Sequence, residues 1–298
     1  MMSSSMKEQS MKTKLFILGN GFDLMHGMPT SYSDFASFCR NKDNALFDLM
    51  NTEFPGLCTE QDKLWSNFED ALGTPKLDFL LNEAKRNGGQ IQYMEHPIGV
   101  DYTSLKNMMS DWIASLSKSL KEMKLDKRIC FDAERSLFLT FNYTNTLEDI
   151  YGIHSNDICH IHEKYDGNTM TKFVGYNWGH SKDYNAIRDD FEKKGLDIRE
   201  PIPNDVKETI MYFGKRYDDG RGLLKVWFDS CQEELKITDI IVIGHSMANV
   251  DYPYFVDCCN RFQNAKWHIF YFDENDLVRK RKSIVDLQLN DKVEFLKQ

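Results

Sequence analysis

The segment LFILGNGFD, residues 15–23, decides the fold class of this chain. Its apolar run from Leu15 to Leu18 is typical of a buried strand, and Gly19-Asn20-Gly21 predicts a tight turn at the end of that strand. Ser31 then stands three residues before Asp34, the spacing of a cap at the start of a helix. A strand, a glycine turn and a capped helix in this order are typical of the first half of a βαβ unit.

Strand and helix signals alternate again in the second half of the chain. Apolar runs predict strands over residues 137–141, 158–162, 237–243, 267–272 and 293–296. The sequence therefore predicts an α/β fold with a Rossmann-like, doubly wound and mainly parallel sheet, whose ligands bind beyond the carboxyl ends of the strands.

Three segments depart from this alternation. Residues 1–11 are predicted to be a flexible leader, and residues 41–130 a large helical insertion, because apolar side chains recur there at steps of three and four. Residues 179–232 are charged and contain turn-forming residues, which predicts an irregular surface excursion. Residues 12–298 are predicted to form a single α/β domain that the last two segments interrupt.

Composition excludes several functional classes. The 298 residues are 41% hydrophobic and 28% charged, as in a folded globular protein. With 37 basic against 46 acidic residues the net charge is −9, which argues against general nucleic-acid binding. The 7 scattered cysteines lack metal-site spacing and indicate a reducing cytoplasm, and no apolar run approaches the ~18 residues of a membrane span. We therefore expect a cytoplasmic protein with no membrane association.

Residues able to carry chemistry stand at four predicted strand ends, in segments 19–23, 142–144, 160–163 and 244–246. Glycines at positions 19 and 21 let backbone N–H groups approach a phosphate, which predicts nucleotide binding at this turn. The dehydrogenase fingerprint requires a third glycine where Leu24 stands, so a hydride-transfer enzyme is disfavoured.

These segments resemble the sirtuin signature. In sirtuins GAG-[IV]-S is followed after three residues by G-I-P, similar to Gly19-Asn20-Gly21-Phe22-Asp23 and Gly27-Met28-Pro29 here. The T-[QN]-N-[IY]-D, L-H-G and G-[TY]-S segments resemble residues 140–144, 161–163 and 244–246. The chain departs from the pattern at Asp23, where sirtuins have serine, and at Thr144, where they have aspartate.

Most of the chain resembles the bacteriophage abortive infection AbiH family more closely still. Its NGFD, G-[LM]-P-T-x-Y, W-x-x-F-E, FNYT, H-I-H-G and GHS segments are similar to residues 20–23, 27–32, 65–69, 141–144, 160–163 and 244–246. Glu163 stands where both families usually carry glycine, and it adds bulk and charge beside the predicted base.

The resemblance implies an antiphage protein with a sirtuin-like domain that binds NAD as its substrate and hydrolyses it to nicotinamide and ADP-ribose. It implies Asn142 and His162 as the catalytic pair and no metal. A neutral imidazole accepts a proton at pH 7, and an asparagine amide both donates and accepts hydrogen bonds. NAD contacts are expected from Gly19, Asn20, Gly21, Phe22, Asp23, Thr30, Tyr143, Gly244, His245 and Ser246, with the last two on the adenosine side.

An enzyme that destroys NAD harms its host, so we expect an inactive resting form and a phage-derived trigger; a homo-oligomer is left open. The alternative function is a non-catalytic nucleotide sensor or scaffold in phage defence, using the same pocket.

Several of these residues also have simpler interpretations. Asn142 is a favoured helix cap, and Asp251 before Pro253 reads first as one. His160 and His162 share one face of a strand, so with a third ligand from His154, Cys159 or Glu163 they would hold a metal. Ser246 follows a strand like the nucleophile of a serine hydrolase, with His268 the only later histidine. Trp65 and Glu69 are four residues apart and are predicted to lie on one helix. There Trp65 would pack against other elements, and Glu69 would carry a solvated charge.

Overall fold

A computed structural model of the chain describes residues 11–57, 65, 68–73, 75–86, 99–122, 128–162 and 217–298. Within these ranges the strands are β1 Lys12–Leu18, β2 Ser136–Thr140, β3 Ile158–His160, β4 Leu235–Ile243, β5 Lys266–Tyr271 and β6 Val293–Lys297. The α-helices are α1 Asn20–Met25, α2 Tyr32–Lys42, α3 Asn44–Glu53, α4 Phe68–Leu72, α5 Leu77–Arg86, α6 Tyr102–Glu122, α7 Thr146–Asp149, α8 Tyr217–Ser230, α9 Tyr252–Arg261 and α10 Glu274–Asp286. None of the helices in these ranges combines the length and apolarity needed to cross a membrane.

The strands form one sheet in the order β3-β2-β1-β4-β5-β6, and every neighbouring pair is parallel. This is the strand order of the Rossmann fold, and it confirms the predicted fold class. The order reverses between β1 and β4, which makes their carboxyl ends the usual place for a ligand. Leu18 of β1 pairs with Thr140 of β2 and Ile243 of β4, and Thr140 pairs with His160 of β3, so four strand ends share one edge.

Apolar side chains bury both faces of the sheet. Alternate residues of β1 point to opposite faces, with Leu15 and Ile17 in one buried cluster and Phe16 and Leu18 in the other. The first cluster includes buried side chains of α8 and α9, so these helices cover that face. A parallel sheet needs both faces covered, which explains the nearly continuous apolar runs in the sequence.

The described chain divides into two compact units. The first contains residues 11–30, 113–122, 128–162 and 217–298 and holds the whole sheet. The second contains residues 31–57, 65, 68–73, 75–86 and 99–112 and is helical. The described residues of the helical unit thus run from 31 to 112, and the single domain with an insertion over residues 41–130 stays a prediction.

The predicted irregular excursion is only partly described. Residues 179–216 and the leader up to residue 10 lie outside the described residues. From Tyr217 onward the chain is helix α8, not irregular structure. Gly220, which favoured a turn, instead allows close packing, because a Cβ there would collide with the Tyr254 hydroxyl. A two-bond ion pair between Arg221 and Asp257, at 2.6 and 2.7 Å, also joins α8 to α9.

Aromatic rings fill the core of the second unit. Phe35, at the centre, contacts the rings of Trp65, Phe68 and Trp112 at 5.5, 5.6 and 5.1 Å between centroids. Trp65 precedes α4 and so is not in a helix with Glu69, contrary to the sequence prediction.

The predicted cap at the start of the second unit is confirmed. The Ser31 hydroxyl accepts a hydrogen bond from the Asp34 N–H, and the Asp34 carboxylate accepts one from the Ser31 N–H.

Candidate active site at the carboxyl edge of the sheet

The glycine turn after β1 packs directly on the turn after β4. The Gly21 N–H donates a 2.8 Å hydrogen bond to the Gly244 carbonyl. A Cβ at Gly21 would lie 2.6 Å from the Gly244 Cα, and a Cβ at Gly19 would lie 2.6 Å from the His245 Cα. Gly244 has φ +65°, a left-handed conformation that favours glycine. Close approach of two backbones therefore accounts for all three glycines, and it occupies the Gly21 N–H that was predicted to face a phosphate.

Asn20 and Phe22, both predicted NAD contacts, support this turn. The Asn20 side-chain amide donates to the Thr30 carbonyl at 2.7 Å. Phe22 is buried against the rings of His26 and Tyr151. Thr30 is buried, and its hydroxyl has no hydrogen-bond partner in the described part of the chain. A buried polar group without a partner is rare in folded proteins.

Asp23 is buried and bonded to the segment that follows β2. Its two carboxylate oxygens accept hydrogen bonds from the Thr144 hydroxyl at 2.6 Å and the Thr146 hydroxyl at 2.8 Å. Burial raises the pKa of Asp23 from 3.8 to about 6, although these two bonds and the nearby Asn142 amide lower it. The carboxylate thus serves as an internal acceptor rather than as a surface group.

Asn142 follows β2 with its backbone fixed on both sides. Its N–H donates to the Thr140 hydroxyl at 3.1 Å, and its carbonyl lies 3.3 Å from Nδ1 of His160. The side-chain nitrogen is buried and makes no hydrogen bond to the described residues. The next helix, α7, has Asn145 as its N-cap residue, so the interpretation of Asn142 as a helix cap is wrong.

His162 lies at the matching position beyond β3. Asn142 and His162 are each two residues past the paired residues Thr140 and His160. The imidazole is 5% exposed and stacks on the ring of Tyr143, with centroids 5.7 Å apart and planes at 29°. The structure therefore brings the predicted catalytic residues to neighbouring strand ends, with Tyr143 beside the imidazole.

The partners of His160 bear on the metal hypothesis. Its Nε2 lies 3.2 Å from a carboxylate oxygen of Glu148, and its Nδ1 faces the Asn142 carbonyl. No group of three ligand-type side chains comes together within the residues that the structure describes. Glu163 lies outside those residues.

His245 and Ser246 follow β4 in different environments. The buried His245 accepts the Met247 N–H at Nδ1, 2.9 Å away, so its proton is on Nε2, which lies 3.3 Å from a carboxylate oxygen of Asp251. Asp251 is the N-cap residue of α9 but makes no side-chain capping bond. Ser246 is exposed and accepts only the Ala248 N–H among the described contacts. His245 is thus held within the fold, and Ser246 is open to solvent.

The arrangement gives a serine hydrolase no support. Both ring nitrogens of His268 are engaged by carboxylates, of Asp239 at 2.9 Å and Glu294 at 3.1 Å, on the neighbouring strands. His268 therefore has partners other than Ser246.

Phe141 connects the two halves of the candidate site, although the sequence did not single it out. Its ring meets the His162 ring edge-on at 5.6 Å and the His245 ring at 4.3 Å. Sequence reasoning also missed Thr146, whose position two residues after Thr144 was the available signal. Predicted residues of the two strand-end loops thus share one aromatic contact network.

Comparison with known proteins identifies the family of this chain. No curated protein matches the chain. Residues 15–272 match the family model described as bacteriophage abortive infection AbiH, and this range contains all the strand-end segments of the site. The chain therefore belongs to the bacteriophage abortive infection AbiH family, whose role is in phage abortive infection.

Proposed function

We propose that this protein acts in abortive infection by binding NAD at the carboxyl edge of its sheet and hydrolysing it to nicotinamide and ADP-ribose. One observation carries the proposal: the buried Asn142 amide nitrogen lacks a described partner, and Asn142 occupies the strand end next to that of His162. Buried polar groups are nearly always bonded, so an orphaned one at this edge of a Rossmann-type sheet supports a polar ligand.

The residues suit the ribose end of NAD. Water attacks C1′ of the nicotinamide ribose while the bond from C1′ to the pyridinium nitrogen breaks. The bonding electron pair leaves with neutral nicotinamide, and the water gives up one proton. We assign the acceptance of that proton to His162 and the orientation of the water or the ribose hydroxyls to Asn142. Proton transfer to a positioned base is typically worth ~10²–10⁴-fold.

Two of the residues that the sequence predicts as NAD contacts have hydrogen-bonding groups that are engaged within the protein. The Gly21 N–H donates a hydrogen bond to the Gly244 carbonyl, and both carboxylate oxygens of Asp23 accept hydrogen bonds from threonine hydroxyls. The hydroxyl of Thr30, also a predicted contact, is buried and has no hydrogen-bond partner among the described residues. We therefore propose Thr30 as the ligand contact on this side of the site.

The test uses infected cells, because infection supplies the trigger of the resting protein. Cells producing the wild-type chain, His162→Ala, Asn142→Ala or the control His154→Ala are infected, and NAD, nicotinamide and phage yield are followed. His154 is an exposed residue outside the site, so its variant should behave as wild type. We expect a fall in NAD and a reduced phage yield in cells producing the wild type or His154→Ala. Cells producing His162→Ala or Asn142→Ala should show neither.

A reduced phage yield without a fall in the NAD concentration would contradict hydrolysis. If purified protein then bound an adenine dinucleotide saturably without releasing nicotinamide, the non-catalytic sensor would replace the enzyme.

A further inference from the structure

The imidazole of His160 bridges two segments that follow β2. Its Nδ1 lies 3.3 Å from the carbonyl oxygen of Asn142, and its Nε2 lies 3.2 Å from a carboxylate oxygen of Glu148 in α7. The side chains of His160 and Glu148 are only 10% and 17% exposed. The ring therefore joins the end of β3 to Asn142 on one side and to α7 on the other.

The chemistry of the two partners fixes which atoms donate. A carbonyl oxygen and a carboxylate oxygen accept hydrogen bonds, so a hydrogen stands at each ring nitrogen of His160. One proton is on Nδ1, and the second lies between Nε2 and Oε1 of Glu148. Such charge-assisted hydrogen bonds are about twice as strong as neutral ones. Glu148 therefore anchors the ring with its Nδ1–H directed at the Asn142 carbonyl.

These contacts give the two neighbouring histidines different roles. Both ring nitrogens of His160 are engaged by protein groups, so this ring does not take up a proton from a substrate or a water. His162, two residues further along, stacks on the ring of Tyr143 instead. The proton-accepting role proposed above therefore belongs to His162, and the role of His160 lies in its contact with Asn142.

That contact holds the main chain at the residue where sheet pairing stops. The pairing of β2 with β1 and β3 ends at Thr140, two residues before Asn142. Beyond this point the Thr140 hydroxyl accepts the Asn142 N–H at 3.1 Å, and His160 bonds the Asn142 carbonyl. Two side chains thus take the place of the sheet hydrogen bonds and set the direction in which the Asn142 side chain leaves the backbone.

We propose that His160, anchored by Glu148, is a positioning residue for Asn142: its Nδ1–H fixes the Asn142 carbonyl and thereby sets where the buried side-chain amide lies. The ligand that this amide meets rests on the proposed function, whereas the hold on the carbonyl does not. A misplacement of about 1 Å costs on the order of 10²-fold in rate, so the hold matters for hydrolysis.

The sequence provides a spectroscopic reporter for this contact. It contains one Asn-Tyr dipeptide, residues 142–143. Protein labelled with ¹³C at asparagine carbonyls and with ¹⁵N in tyrosine therefore gives a single resonance that correlates both nuclei, and this resonance reports the Asn142 carbonyl. Loss of a hydrogen bond moves the carbonyl carbon upfield, because the C=O bond becomes less polarised.

Two amide variants separate the two contacts of His160. In His160→Asn the amide nitrogen takes the place of Nδ1 and still donates to the Asn142 carbonyl, but the contact with Glu148 is lost. In His160→Gln the amide nitrogen takes the place of Nε2, so only the contact with Glu148 is kept. We expect the carbonyl to move upfield in His160→Gln and to stay near its wild-type position in His160→Asn. An unchanged carbonyl in His160→Gln, or equal shifts in both variants, overturns the proposal.

Glu148 gives the same comparison if His160→Gln does not fold. Glu148→Ala removes the anchor of the ring, whereas the amide of Glu148→Gln still bonds Nε2 of His160. We expect the Asn142 carbonyl to move upfield in Glu148→Ala alone. Identical spectra of these two variants count against the anchoring role of Glu148.

The rate of NAD loss in infected cells tests the consequence for hydrolysis. We expect it to fall about 10²-fold in His160→Gln and to be rescued in His160→Asn. If the wild type consumes no NAD, the proposed function is wrong, while the carbonyl resonance still tests the hold on Asn142. If NAD is consumed equally fast in both variants, only the positioning role is wrong.

Discussion

At the residue scale, the Tyr151 hydroxyl shows how buried polar groups hold the loops beneath the site. It accepts the N–H groups of Arg128 and Ile129 at 3.0 and 3.2 Å, and it lies 2.7 Å from Nε2 of His26. Because the hydroxyl accepts twice, its own proton goes to Nε2, and the His26 proton on Nδ1 goes to the Phe22 carbonyl at 2.7 Å. Burial lowers the pKa of His26, which agrees with this neutral ring.

Removing that hydroxyl is therefore expected to cost stability. Tyr151→Phe deprives two backbone donors and one imidazole acceptor of their common partner, which should lower the free energy of unfolding by about 1–3 kcal/mol. Urea unfolding measures the loss. The matched control is Tyr252→Phe, whose hydroxyl donates to the Asp286 carbonyl at the surface. Its effect should stay within ~0.5 kcal/mol, and equal losses in the two variants would contradict the account.

At the element scale, the contact between the turns after β1 and β4 sets the shape of the carboxyl edge. Gly21→Ala places a methyl group 2.6 Å from the Gly244 Cα, where backbone must move. We expect a loss of about 1–3 kcal/mol of unfolding free energy. Gly222→Ala is the control, since a Cβ there meets nothing within 4 Å and alanine suits the helix α8 better by ~1 kcal/mol.

The Gly21→Ala variant also distinguishes a packing role of this glycine from a role in phosphate binding. If Gly21→Ala keeps wild-type stability but loses NAD affinity, the glycine serves the ligand rather than the contact with Gly244. A loss of stability together with affinity is the result that backbone packing predicts.

The elements differ in how well the sequence predicts them. All six strands appear as predicted apolar runs. The signal is clearest where a parallel strand is buried on both faces, as in β2, whose five residues are all buried. Helix α8 was missed because Gly220, Gly222 and two aspartates near its start are typical of turns, whereas its apolar face through Leu224 and Phe228 shows only in the packing.

The candidate site shows the same limit. Asn142 and His162 were indicated by their positions at predicted strand ends and by the family resemblance of their segments. The acceptor role of Asp23 was not, since the bond to Thr144 joins residues 121 positions apart. No local pattern reports such a contact.

At the scale of the whole molecule, each compact unit has, among its described residues, one buried carboxylic acid with a raised pKa. Asp23 lies in the first unit, with a pKa raised by burial from 3.8 to about 6. Glu53 lies in the second, where burial raises its pKa from 4.5 to about 8. One Glu53 oxygen accepts the Val100 N–H at 2.6 Å, and the other has no hydrogen-bond partner in the described part.

These two acids predict that stability falls as pH rises. Between each ordinary pKa and the raised one, the folded state binds a proton that the unfolded state has released, so the free energy of unfolding decreases with pH. The decrease runs from about 4 to about 6 for Asp23 and from about 4.5 to about 8 for Glu53. Each amounts to on the order of a few kcal/mol.

The double variant Asp23→Asn with Glu53→Gln isolates this effect, because neither amide titrates. Urea unfolding of both proteins at pH 5, 7 and 9 gives the difference in free energy of unfolding, in which the contributions of other titratable groups cancel. We expect the variant to gain on the wild type from pH 5 to 7 through both acids and from pH 7 to 9 mainly through Glu53. A difference independent of pH would mean that both acids ionise as readily in the folded protein as in the unfolded chain, and that burial imposes no electrostatic cost in either unit.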